Sequence, residues 1–174
     1  DDFRNYITDD RTKVKFNLKD TINSFLHLTE SSIKTHNIDV RLDIEKSIII
    51  DGYENELTQC FMNLFNNAKD ALKEIDTPRY LCITTSIVDK KVLISFKDNA
   101  GGIDEKVMDK IFEPYFTTKH QSQGTGVGLY MSENIIRTHL KGNIFVENDS
   151  YEYDETTYFG AKFQASVTRR PSML

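Results

Sequence analysis

The sequence predicts an α/β two-layer sandwich in which a mixed sheet of about five strands carries helices on one face. Three observations predict it. Apolar residues recur at helical spacing in three stretches, five shorter stretches alternate or are rich in β-branched residues as strands are, and the two kinds interleave along the chain. With 174 residues, the chain is long enough for one domain with a real core and does not require two.

From Leu18 to about His36, Ile22, Phe25, Leu26, Leu28 and Ile33 follow a mostly helical period, and "NIDVRLDIE" then alternates as a half-buried strand does. At "DGYENEL", Asp51 stands three residues before Glu54 in capping-box spacing. Leu57, Cys60, Phe61, Leu64, Ala68, Ala71, Leu72 and Ile75 follow on one helical face, which makes this the strongest helix of the chain. After Pro78, "YLCITTSIV" and "KVLISFKD" read as a hairpin joined at Asp89-Lys90, and its second strand delivers Asp98 at its carboxyl end.

Residues 99–128 show no sustained period and carry glycines at two places, Gly101-Gly102 and Gly124, Gly126, Gly128. A loop of that length in a compact domain is usually functional. A helix is expected from about Val127 to Leu140, stopped by Gly142. Two closing strands follow, "NIFVEN" and "TYFGAKFQASV", with Phe159, Ala161, Phe163, Ala165 and Val167 turned to one face.

Composition narrows the function. The net charge of −5 is mild and its charges are interspersed, so nucleic acid is not an expected partner. No apolar run is long enough to span a bilayer and no secretory signal opens the chain, so a cytoplasmic location is expected. Cys60 and Cys82, at no metal-ligand spacing, are expected to be core thiols of a reducing compartment.

The stretch "NLFNNAKDAL", residues 63–72, carries three asparagines and an aspartate inside a helix, where such residues are poor formers. Asn63, Asn67 and Asp70 fall within a narrow arc at the edge of the apolar face. A solvated face would be served better by Lys or Gln. The functional reading is that Asn67 offers an amide oxygen to a hard cation such as Mg²⁺, with water and phosphate as its other ligands. Asp98 followed by "NAGG" places a carboxylate where a purine amine can donate to it, beside a backbone bare enough for close approach. "GTGVGL" offers backbone N–H groups and a helix start to anionic oxygens. It is neither a P-loop nor a good dinucleotide fingerprint, because no Gly-Lys-Ser/Thr follows and no strand precedes it.

In this order, the asparagine helix, "DNAGGI", "IFEPYFTTK" and "GTGVGLY" closely resemble the N, G1, F and G2 boxes of the ATP-binding domain of sensor histidine kinases. The resemblance covers nearly the whole chain and implies the Bergerat-type ATP-binding fold. It implies that Asp98 accepts from the adenine amine, that Gly102 lets the backbone pass close to the nucleotide, and that Asn67 is the Mg²⁺ ligand. Asn63, one turn earlier, would support the phosphates or metal-bound water. Many members carry a basic residue where this chain has Asp70, and that role is assigned to Lys119 at the end of "FTTK".

Residues 103–123 resemble the family's ATP lid, with Phe112, Tyr115 and Phe116 fastening it to the core. Gly124, Gly126 and Gly128 would line the triphosphate, with a hydroxyl contact from Thr125. Nucleotide contacts are implied also for Ala100, Ile103, Thr118, Val127 and Leu129.

The same fold serves relatives that hydrolyse ATP, and these typically place a glutamate general base four residues before the Mg²⁺ asparagine. Here Asn63 stands there, and Glu56 lies about 10 Å away along the helix axis. Phosphoryl transfer to a nucleophile activated elsewhere is therefore expected. In the family that nucleophile is a histidine on a separate dimerisation domain, usually followed by an acidic residue. His27, His36, His120 and His139 are followed by Leu, Asn, Gln and Leu.

Residues 1–13 are accordingly read as the tail of an upstream dimerisation domain, 14–170 as the catalytic domain and 171–174 as a tail. The partners implied are ATP, the parent homodimer's own histidine-bearing domain and a response regulator, with this segment itself monomeric. The other reading is a nucleotide-binding module that works by lid movement or partner docking without kinase activity.

Overall fold

The computed structural model describes residues 13–45, 47–116 and 127–169. A short strand, β1 (Val14–Asn17), leads into α1 (Leu18–Thr35), whose N-cap Asn17 accepts from the Lys19 amide at 2.9 Å. Then come β2 (Ile38–Asp43), β3 (Ile49–Gly52) and α2 (Glu54–Leu72). The hairpin of β4 (Arg79–Val88) and β5 (Lys91–Asp98) follows, turning at Asp89 with φ 56°. A 3₁₀ turn at Met108–Lys110 interrupts the long loop. The chain closes with α3 (Gly128–Asn134), β6 (Asn143–Tyr153) and β7 (Thr156–Thr168).

The main sheet has five strands in the order β2-β4-β5-β7-β6, with β2 and β4 parallel and the other pairs antiparallel. The sandwich expected from the sequence is present, with the helices on one face. That face is set by period-two burial: Val92, Ile94, Phe96 and Asp98 of β5 point inward, as do Ala161, Phe163, Ala165 and Val167 of β7.

Four buried phenylalanines weld the layers. Phe25 of α1 packs edge-on against Phe61 and Phe65 of α2 at 5.8 and 5.9 Å, and Phe61 stacks on Phe96 of β5 at 5.5 Å. Burial of each such ring is worth about 2–3 kcal/mol, with roughly 1 kcal/mol more per favourable ring pair. This cluster holds α2, the asparagine helix, over the strand that ends in Asp98.

Several local expectations are corrected. Asp51 does not cap α2: it lies in β3, opposite Lys15 of β1 in a two-stranded sheet that the sequence reading missed, and the N-cap is Tyr53, with no side-chain cap bond. The last helix is not α-helical through Leu140, because α3 gives way to a π turn over Ile135–His139. At its end Lys141 takes the left-handed conformation (φ 53°), and Gly142 is required for a different reason: a Cβ there would overlap the Ser166 carbonyl of β7. Phe159 does not join the buried alternation of β7 and is half-exposed. Cys60 is buried as expected, but Cys82 is only half-buried.

Candidate functional site

Asp98 ends β5 on the helix-facing side and is 4% exposed. Its Oδ1 accepts from the Ala100 amide at 3.0 Å and the Ala161 amide at 3.2 Å. Both donors fall on Oδ1, which leaves Oδ2 without a backbone donor. Burial pushes the Asp98 carboxyl up to about 6, against the lowering pull of the Ala100 and Ala161 amides. A carboxylate so desolvated gains most when a ligand N–H replaces lost water. Gly160 makes this placement possible, because any Cβ there would sit on the Asp98 carbonyl.

The turn after Asp98 is strapped on both sides. Asn99 accepts from the Tyr80 amide at 2.8 Å and donates to the Pro78 carbonyl at 2.9 Å, which extends the β4–β5 ladder beyond its end. Gly101 and Gly102 have φ of 93° and 85°, and the Gly101 amide donates to the Phe159 carbonyl at 3.0 Å. A Cβ on Gly102 would lie 2.7 Å from Asn148 Oδ1 and 2.8 Å from Phe159 Cε1, so packing against β6 and β7 requires glycine there before any ligand is considered.

On α2, Asn63 and Asn67 are half-buried on the same face. Asn63 Nδ2 donates to the Gly128 carbonyl at 3.1 Å and to Ser132 Oγ at 3.0 Å, so its amide ties α2 to the start of α3. Asn67 is half-buried, and among the described residues its side chain makes no hydrogen bond to another residue. Asp70 pairs with Lys73 Nζ at 3.6 Å, so a cation reaches this position from one turn later on the same helix.

Glu56, too distant to act as a base near Asn67, is buried and accepts from His139 Nδ1 at 2.6 Å. Glu56, Cys60 and Asn63 thus form one polar seam along α2 facing α3 and its π turn, Cys60 Sγ meeting the Ser132 carbonyl at 3.8 Å. Burial pushes the Cys60 thiol up to about 12, which makes it inert.

The lid segment is described as far as Phe116. Ile103, Val107, Phe112 and Phe116 pack against the core, Ile111 is buried, and Phe112 meets Phe163 edge-on at 6.3 Å. Tyr115 does not fasten the lid: it is 79% exposed, with φ 65°. Thr118, Lys119, Gly124, Thr125 and Gly126 lie outside the described residues. Val127 precedes α3 and accepts from the Met131 amide at 2.9 Å, Gly128 opens the helix, and half-buried Leu129 packs on the core.

Sequence reasoning missed Ser132, Gly160, Asn99 and Asn148 as site-shaping residues. Asn99 had a local signal in its place beside Asp98. The other three act through contacts between residues far apart in the chain, which no spacing encodes.

A two-layer sheet with a buried carboxylate at a strand end, a left-handed glycine turn after it and an asparagine helix above defines a nucleotide-binding domain of the ATPase kind. Residues 52–169 match the family model described as "Histidine kinase-, DNA gyrase B-, and HSP90-like ATPase", and the chain belongs to this family. It is similar to sporulation kinase A of Bacillus subtilis, 37% identical over 137 residues, which cover 78% of this chain and 22% of that protein. It is also similar to the C4-dicarboxylate transport sensor protein DctB of Pseudomonas aeruginosa, 31% identical across 75% of this chain and 21% of the relative. The chain thus spans about a fifth of the length of these curated relatives.

Among solved structures, the nucleotide-free catalytic domain of histidine kinase ThkA superposes with a TM-score of 0.74 at 25% identity, over 93% of this chain and all of that one. ThkA in complex with the response regulator TrrA gives 0.71 at 25% identity, over 93% of this chain and 43% of that one.

Proposed function

We propose that this chain is the catalytic segment of a two-component sensor histidine kinase. It binds Mg²⁺–ATP and passes the γ-phosphoryl group to a histidine on the dimerisation domain of its parent homodimer, from which a response-regulator aspartate takes it. The observation that carries the reading is Asn63: where hydrolase relatives place a glutamate base, an amide stands here with its N–H groups committed to α3. A site without a base suits transfer to a nucleophile activated elsewhere, where binding and charge neutralisation do most of the work. The relatives' names and the ThkA–TrrA complex support the histidine and response-regulator steps.

Asp98 Oδ2 accepts from the adenine amine in this reading, which selects adenine over guanine, whose keto oxygen would face a carboxylate. Asn67 holds the metal, with Lys119, Gly124, Thr125 and Gly126 at the phosphates. Mg²⁺, when bound, neutralises phosphate charge. Asn63 holds the middle of α2 against the start of α3. The cation of Lys73 offsets the negative charge of Asp70, which stands where many relatives have a basic residue.

The test supplies the parent's histidine-bearing domain in trans with γ-labelled ATP. Labelled histidine is expected, and its absence while ATP still binds would overturn the kinase reading. The second reading, a binding module without catalysis, is favoured only by Asp70 and would then stand.

A further inference from the structure

We propose that Asn148 is the positioning residue that fixes the base of the lid and thereby sets nucleotide affinity; this rests on the nucleotide-binding reading of the site. Asn148 lies in β6, outside every motif recognised in the sequence. Its Oδ1 accepts from the Ile103 amide at 2.8 Å, and its Nδ2 donates to the Ile103 carbonyl at 2.8 Å. One side-chain amide captures both polar backbone groups of one residue, as a neighbouring strand would. Nδ2 also reaches Glu105 Oε1 at 3.4 Å.

The placement gives the clamp its meaning. Asn148 is the cross-strand partner of Ala161, whose amide holds Asp98 Oδ1. A single rung of the β6–β7 ladder therefore holds both ends of the turn 98–103, the carboxylate at one end and the first lid residue at the other. Between them Gly101 and Gly102 take left-handed conformations, and Gly102 is pressed against Asn148 and Phe159. The backbone is thus fixed to the sheet at Ile103 as well as at Asp98, so the turn between them is held from both ends. A turn ordered in advance has no ordering entropy left to lose when ligand binds.

Only a side chain with a donor and an acceptor side by side at this length makes the clamp. Ala removes it, and an ionised Asp keeps the acceptor but sets oxygen against the Ile103 carbonyl and Glu105. A protonated Asp restores one donor and one acceptor.

The experiment measures the Kd and dissociation rate of a fluorescent ADP analogue for this chain, N148A and N148D across pH, with amide hydrogen exchange and urea unfolding alongside. N148A should weaken binding by about tenfold, the equivalent of one lost net hydrogen-bond contribution from the part-buried pair, chiefly through faster dissociation. Exchange at residues 101–105 should quicken while the β6–β7 ladder stays protected. The ratio of the N148D to the wild-type Kd should fall back toward one as pH is lowered through the new carboxyl's titration. Taking the ratio removes the part of the Asp98 response that the two proteins share, and the N148A ratio, with no new charge beside Asp98, should stay flat.

A wild type that binds and an N148A that binds equally well would overturn the proposal. So would an affinity loss no larger than the loss of folded protein, or an N148D ratio that does not change with pH. A folded wild-type chain that binds no adenine nucleotide would instead overturn the nucleotide reading itself.

Discussion

The amide of Asn63 in α2 donates to the hydroxyl of Ser132 in α3 at 3.0 Å, and both groups converge on the Gly128 carbonyl. Ser132 is fully buried, so the three form a closed polar knot between the asparagine helix and the helix that follows the glycine segment. Converting Asn63 to the glutamate of hydrolase relatives would set a carboxylate against that carbonyl. N63E should cost about 2–3 kcal/mol in urea unfolding and should not create an ATPase. S132A, which leaves the Asn63–Gly128 bond in place, should cost about 1 kcal/mol. A stable, hydrolytically active N63E would show that the knot is dispensable.

Asp98 makes both stability and binding depend on pH, in opposite directions. Its carboxyl rises from the ordinary 3.8 to about 6 in the fold, chiefly by burial, so the folded protein holds this proton more tightly than the unfolded chain does. This contribution to stability is complete below pH 3.8 and is lost as pH rises to about 6, a difference on the order of 2–3 kcal/mol. Nucleotide affinity runs the other way on the proposed reading, in which the ionised form accepts from adenine, and should fall as pH drops through about 6. Calorimetric titration with an ATP analogue between pH 5 and 8 (roughly the window set by this shift) checks the second claim.

D98N separates the two roles. Oδ1 keeps its backbone donors while Nδ2 replaces the other carboxylate oxygen. Above pH 6 the variant should melt higher than wild type, because no buried charge remains. Its adenine affinity should drop by at least about tenfold, since donor then faces donor. A base with a keto oxygen at that position should lose far less. Retained preference for adenine in D98N would remove Asp98 from base recognition.

Glu56 and His139 join the first turn of α2 to the π turn at 2.6 Å, with Tyr53 edge-on to the imidazole at 5.9 Å. A double-mutant cycle of E56Q and H139A should give a coupling energy of about 1–2 kcal/mol. A coupling near zero would mean that the Glu56–His139 contact does not hold the seam.

Gly160 and Gly142 are fixed by contact. G160A would place a Cβ on the Asp98 carbonyl, and G142A would place one on the Ser166 carbonyl, both of them backbone atoms that cannot step aside. Each should destabilise by more than about 3 kcal/mol, and G160A should also abolish nucleotide binding. By contrast, Gly101 has open space around its missing Cβ, so G101A should suffer only from its left-handed φ, about 1 kcal/mol.

Much of the fold was legible because burial imposes period. Phe25, Phe61 and Leu64 at helical spacing and Val92, Ile94 and Phe96 at alternate positions announce which face meets the core, and the structure places them there. What was not legible had no period to show. The β1–β3 pair is four residues long on each side, too short for alternation to speak, and Asp51 looked like a cap only because it stood three residues before a glutamate. Tyr115 looked like a lid anchor by its aromatic type, yet the turn that carries it leaves the ring in solvent.

The sequence by itself determined the two layers, the order of the strands and helices of the main sandwich, and the chemistry on offer: a carboxylate at a strand end, an amide stripe on a helix, glycines where backbone must pass. Those follow from side-chain type and local spacing, which the chain carries wherever it folds. Only the tertiary structure decided how these groups are held. It turned Asn63 toward Ser132, kept Glu56 for His139, placed Gly160 beneath Asp98 and set Asn148 on Ile103. Each of these is a contact between residues at least 45 positions apart, and donor–acceptor geometry at about 3 Å is fixed by packing, which local pattern does not encode.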